Sequence, residues 1–239
     1  MGFSFEIWIT LGLIGFYLYD SAALVFSNEI VFFETKGRWF VALPTDRWRV
    51  VGKRLFFPNP LKPNYSMFIV PWSATASFYA KDSKDTFELI SAIRYLRLAV
   101  VPLMLLLIFV LPLVIFKLGI GTPALITLML VYLLVIAMLF YIYTKREKLG
   151  LSKRQVLSLA FEATSCPPFA INLIRKITIK RSIASCPLEF AFKVLEPQDF
   201  KNFAEELDKK LSEKMEYEID HETNTQIMNY RKKIMSMIL

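Results

Sequence analysis

Two stretches of the chain, residues 98–116 and 123–143, contain no charged side chain at all. Coiled as helix at 1.5 Å per residue, each covers roughly 28–32 Å, the thickness of the hydrocarbon core of a bilayer. A third apolar run, residues 7–26, carries a single acid, Asp20. Residues 117–122 leave room only for a tight hairpin between the two charge-free runs. Pro102 and Pro112 predict a bend in the first of them, which membrane helices tolerate. The chain as a whole is 55% apolar, above the roughly 45–50% of a soluble domain, and the excess sits in these three runs. The expected fold class is therefore a membrane α-helical protein with three transmembrane helices and a polar α+β domain.

The basic residues set the expected orientation. Of 29 Lys and Arg, eleven fall between residues 28 and 97 and seventeen after residue 143, against one, Lys117, in the hairpin turn. Lys145, Arg146, Lys148, Lys153 and Arg154 follow directly on the third run. The positive-inside rule then places the long loop and the tail in the cytoplasm and the N-terminus outside. The net charge of +8 points to anionic head groups rather than to nucleic acid. Residues 1–5 lack the basic start of a cleavable signal, and Glu6 stands where a myristoylation motif needs Ser or Thr.

Six segments follow: a first transmembrane helix over 1–27, a β-rich cytoplasmic segment over 28–84, an interfacial helix over 85–97, the transmembrane hairpin over 98–144, an α+β segment over 145–217 that packs with 28–84, and a polar tail over 218–239 expected to fray. In the β-rich segment, EIVFFET and RWFVAL flank Lys36-Gly37 in a hairpin pattern. In the tail, residues 152–165 are amphipathic and end at Cys166-Pro167-Pro168. Residues 177–183 and 188–195 alternate like strands. Phe200, Phe203, Leu207, Leu211 and Met215 recur at helical spacing after Pro197. Neither polar piece can bury much alone. Packed together, about seven short strands closed by one helix suit a PH-like sandwich, split by the transmembrane hairpin.

Two motifs, LFFPNPLKP at 55–63 (followed by Pro71-Trp72) and CPPFAINLIRK at 166–176, give the chain a resemblance over most of its length to an uncharacterised family of proteobacterial inner-membrane proteins. The resemblance implies a bacterial inner-membrane location and no particular activity.

The catalytic inventory is thin. The one histidine, His221, lies in the polar tail without a partner at metal-ligand spacing. Cys166 and Cys186 precede prolines twenty residues apart and lack further ligands, so no metal and no cofactor is expected. In a reducing compartment they stay thiols. Asp20 is a carboxylate inside an apolar run, which costs about 2.5–3.5 kcal/mol at mid-span and less near the interface. It reads either as a functional group or as a structural partner of Arg97, with Arg94 the second choice. Asn172, Arg175 and Lys176 follow the Pro-Pro pair and could hold a phosphate or an anionic head group, or form a solvated helix face. Arg47, Arg49 and Arg54 interleave with Trp39, Trp48 and Trp72. Beside a membrane that pattern suits anionic lipid more than single-stranded nucleic acid.

The function expected on these grounds is a non-enzymatic inner-membrane subunit or scaffold that presents its cytoplasmic domain to a membrane-protein partner. The alternatives are a lipid-handling or transport component using Asp20 with Asn172 and Arg175, and an enzyme with Cys166 as nucleophile.

Overall fold

A computed structural model describes residues 5–26, 28–43, 49–50, 53–71, 84–179, 181, 186–217 and 221–238. The chain is predominantly helical with two small sheets, and it divides into two units.

The first unit comprises Met1–Ala23, Phe57–Ser66 and Asp85–Thr178. Two helical stretches in it, Thr86–Leu118 and Thr122–Thr144, are long and apolar enough to cross a membrane. The first is built from α2 (Lys84–Leu105), a π turn over Leu106–Val110 and α3 (Leu111–Leu118). The segment 85–97, expected as a separate interfacial helix, is continuous with the apolar run in α2. Pro102 lies within α2, and Leu111 N–H bonds the Leu106 carbonyl five residues back just before Pro112. The widened turn accommodates a residue that has no N–H to give. Gly119 then takes φ 73°, a left-handed value that ends α3 without Cβ strain.

Helix α4 (Thr122–Thr144) opens on Pro123, whose carbonyl accepts from Thr127 Oγ1 at 2.9 Å. Thr127, Val131, Val135, Met138 and Ile142 form its buried stripe, while Leu125, Met129, Leu133, Ile136 and Phe140 face outward. A helix apolar on every side has no face suited to water. Helix α5 (Lys153–Ser165) starts at a capping box: Ser152 Oγ accepts from Gln155 N at 3.2 Å, and Gln155 Oε1 accepts from Ser152 N at 2.8 Å. It stops at Cys166 because Pro167 and Pro168 cannot donate to an α ladder. A 3₁₀ turn (Pro167–Asn172) leads into α6 (Leu173–Ile179). Helix α1 (Phe5–Ser21) packs against α3, the π turn and the 3₁₀ turn. It ends five residues before the apolar run does: Ala23–Val25 is a strand, β1.

The second unit comprises Leu24–Phe56, Met67–Lys84 and Ile179–Leu239, and so draws on chain from both sides of the apolar hairpin. Its strands are β2 (Glu29–Thr35), β3 (Arg38–Ala42), β4 (Arg49–Val50), β5 (Lys53–Phe56) and β6 (Ser66–Pro71), ordered β1-β5-β4 in one sheet and β3-β2-β6 in the other. The β2–β3 hairpin pairs Thr35 with Arg38 across Lys36-Gly37, both at positive φ, and Glu34 Oε1 accepts from Gly37 N at 2.8 Å. This is the two-residue turn whose twist suits a hairpin. One face of that sheet meets α7 (Pro187–Val194) and α8 (Pro197–Tyr217). Phe32 stands edge-on to Phe190 at 5.3 Å, and Trp39 edge-on to Phe190 at 5.0 Å.

The tail differs from expectation. Its described residues are helical: residues 177–179 continue α6, residues 188–194 form α7, and residues 221–238 form α9 (His221–Ile238) in place of a frayed end. Leu188, Phe190, Phe192 and Val194 alternate as a strand would, yet Leu188, Ala191 and Leu195 are buried at helical spacing and Pro187 opens the helix. Ile227, Tyr230 and Ile234 give α9 the buried stripe that packs it on α8. Six short strands in two sheets, with helical tail elements, are what the described residues contain.

Candidate functional site

The last turn of α1, the 3₁₀ turn and α6 meet in a cluster of polar side chains within the first unit. Packing of α1 on the 3₁₀ turn is fixed by apolar contact, with Phe16 edge-on to Phe169 at 6.3 Å. That contact brings Tyr17, Asp20 and Ser21 against Asn172, Arg175 and Lys176.

Asp20 spends both carboxylate oxygens here. Oδ1 lies 2.8 Å from Lys176 Nζ, and Oδ2 accepts from Asn172 Nδ2 at 2.9 Å. Lys176 also reaches Glu162 Oε2 on α5 at 2.8 Å and lies 4.7 Å from the centre of the Phe169 ring. The Asp20 and Lys176 side chains are only 12% and 17% exposed. Removing one member of so enclosed a pair strands the other charge, at about 3–5 kcal/mol. The expected partner of Asp20 was Arg97. Its Nη2 donates instead to Ser66 Oγ at 2.8 Å, and Arg94 is exposed.

Among the described residues Arg175 is the most enclosed cation, at 2% exposure, beside Asn172 at 1%. Its Nη2 donates to Asn172 Oδ1 and, at 3.2 Å, to Ser21 Oγ. Ser21 Oγ in turn donates to the Tyr17 carbonyl at 2.7 Å, and Tyr17 Oη to the Pro60 carbonyl. The guanidinium carbon lies 5.5 Å from the centre of the Tyr65 ring. Burial pushes the Tyr65 phenol up to about 12, with the Arg175 charge pulling the other way. Nε and Nη1 of Arg175 are buried with no hydrogen-bond acceptor. A neutral acceptor set around a buried cation is an incomplete solvation shell, and anionic groups complete such shells best.

Cys166 caps α5 beside this cluster as a free thiol.

The structure therefore joins Asp20, Asn172, Arg175 and Lys176 in one site. Of the other basic candidates, the two described ones belong to the second unit. Arg49 and Arg54 are directly cross-strand in the β4–β5 pair, and Arg47 lies outside the described residues. The sequence reading missed Tyr17, Ser21, Tyr65 and Glu162. The one available signal was Glu162, the sole acid of α5. The arrangement defines a helical protein of membrane-spanning composition with a buried polar latch. The chain matches no protein-family model, no curated protein and no solved structure.

Proposed function

We propose that the protein is a non-enzymatic membrane subunit or scaffold. The carrying observation is that Asp20, Asn172, Lys176 and Glu162 consume one another's hydrogen-bonding capacity. Groups so engaged are a latch for α1 rather than free acids or bases. In this reading, α1 is a third span alongside Thr86–Leu118 and Thr122–Thr144, with the N-terminus outside and the C-terminus cytoplasmic in a bacterial inner membrane. The second unit supplies the surface for a membrane-protein partner. Purification from native membranes in mild detergent, read by native mass spectrometry, tests this. A stoichiometric protein partner is expected; a chain that runs alone overturns it.

A second reading is favoured by one observation, the two acceptor-less nitrogens of Arg175. An anionic lipid head group offers the missing oxygens, which would make the protein a lipid-handling component. In the same experiment this reading expects a retained phospholipid that Arg175→Gln removes.

A further inference from the structure

We infer that residues 153–178 form a re-entrant hairpin that dips into the bilayer and returns to the side it came from, with Leu157 and Phe161 against lipid acyl chains. The inference rests on the reading of α4 as a membrane span.

Depth comes from one hydrogen bond. Tyr132 Oη donates to the Thr164 carbonyl at 3.2 Å. Tyr132 lies twelve residues before the end of α4 at Thr144, or about 18 Å along the helix. Since a hydrocarbon core is about 30 Å thick, Thr164 is level with the middle of the span. The thirteen residues of α5, about 20 Å long, cover the same distance in the opposite direction. The return leg is shallower: Phe169 packs on Phe16, five residues before the end of α1 at Ser21.

The chemistry of the hairpin suits that depth. Irregular backbone inside a membrane must satisfy its polar groups internally. At the tip, Pro167 and Pro168 have no N–H to satisfy, and the Cys166 and Phe169 amides bond Glu162 O at 3.1 Å and Cys166 O at 2.9 Å. Thr164 Oγ1 donates to Ala160 O at 2.8 Å, and Thr178 Oγ1 to Ile174 O at 3.1 Å. Lys153 and Arg154 sit at the start of α5, where an interface would be. Glu162, its only acid, pairs with Lys176, which it shares with Asp20. Leu157 and Phe161, one helical turn apart, are 71% and 73% exposed. On a helix in water they would be unpaid apolar surface; beside the outward apolar residues of α4 they continue a lipid-facing surface.

Site-directed spin labelling tests this in vesicles of phosphatidylethanolamine and phosphatidylglycerol. Labels go on Leu157→Cys, Phe161→Cys, Leu133→Cys on α4 and Lys153→Cys, each in a Cys166→Ser, Cys186→Ser background. Collision with oxygen is compared with collision with the water-soluble nickel chelate. The expected result is loss of nickel collisions at 157 and 161 to the level of 133, with 153 remaining accessible. If 133 is shielded while 161 collides freely with nickel, the hairpin is wrong and the membrane reading survives. If 133 itself meets nickel, the span reading fails and takes the hairpin with it. Should the cysteine-free background not fold, benzophenone-alanine at position 161 of the otherwise native chain replaces it. A phospholipid adduct on irradiation supports the hairpin, and its absence overturns it.

Discussion

The carboxylate of Asp20, near the end of α1, is 2.8 Å from the ammonium of Lys176 on α6, and the same ammonium is 2.8 Å from Glu162 on α5. One lysine thus holds together three helices, the first of which the sequence separates from the other two by the entire apolar hairpin. Its two acids are unequal: Asp20 is 12% and Glu162 39% exposed, and Asp20 accepts from Asn172 at 2.9 Å where Glu162 accepts from Ser158 at 3.4 Å.

This asymmetry predicts an order. Lys176→Met leaves two carboxylates side by side without a cation and should cost about 3–5 kcal/mol. Asp20→Asn leaves Lys176 its bond to Glu162 and should cost less. The double variant should be no worse than Lys176→Met alone, because the pair is coupled. Thermal unfolding in detergent measures all three, and strictly additive losses would mean that no such pair exists.

Arg175 behaves differently. Asp20 and Lys176 are matched, whereas Arg175 keeps two nitrogens without acceptors at 2% exposure. Replacing a buried, incompletely solvated cation by an apolar side chain of similar length is often neutral or stabilising. Arg175→Met is therefore expected to unfold at or above the wild-type temperature in lipid-free detergent. If anionic lipid fills the shell, adding phosphatidylglycerol should raise the wild-type temperature and leave Arg175→Met unmoved. A marked loss of stability in the variant without lipid would show that its existing bonds to Asn172 and Ser21 outweigh the missing ones.

How much of this was written in the sequence depends on the kind of signal. Charge-free runs and the Lys36-Gly37 turn announce themselves because each depends on local composition alone, and both are in the structure. The α7 segment misleads because its apolar residues satisfy a period of two as well as a helical one, and only burial against β3 and α8 decides between them. Tail helix α9 hides its stripe of Ile227, Tyr230 and Ile234 among polar residues. At the site, Asp20, Asn172, Arg175 and Lys176 stand out singly as polar groups in apolar surroundings. Their pairing does not, because the proximity of α1 to the 3₁₀ turn is a tertiary fact. The nearest basic residue in an assumed topology, Arg97, was the natural wrong partner.

In the second unit the aromatic cluster should dominate stability. Phe190 is 2% exposed and packs edge-on to both Phe32 and Trp39. Phe190→Ala should cost about 3–5 kcal/mol, read as a lower denaturant midpoint. Phe192→Ala on the exposed side of α7 keeps the backbone change similar but loses mainly one contact with Phe200, and its cost should be under half as large. Equal losses would place the core elsewhere.

Tyr65 supplies a test in pH. Burial raises its phenol from the ordinary 10 to about 12 in the folded state, against the pull of Arg175. A raised pKa means that the folded chain holds this proton more tightly than the unfolded chain does. The resulting stabilisation is complete below pH 10, where both states are protonated. It is lost as pH climbs from 10 through about 12, because the unfolded phenol ionises first. Tyr65→Phe cannot ionise; the hydroxyl it lacks donates a long bond, 3.5 Å, to the Asn59 carbonyl and faces the Arg175 guanidinium. Near pH 8, where residue 65 is uncharged in both proteins, the difference between the two unfolding temperatures sets a fixed baseline. Above pH 10 the two unfolding temperatures should diverge, the wild type falling faster. Other tyrosines titrate in both proteins and cancel in the difference. Curves that stay parallel up to pH 12 would mean that the Tyr65 phenol is not held above its ordinary value, and that the enclosure around Arg175 is looser than its burial implies.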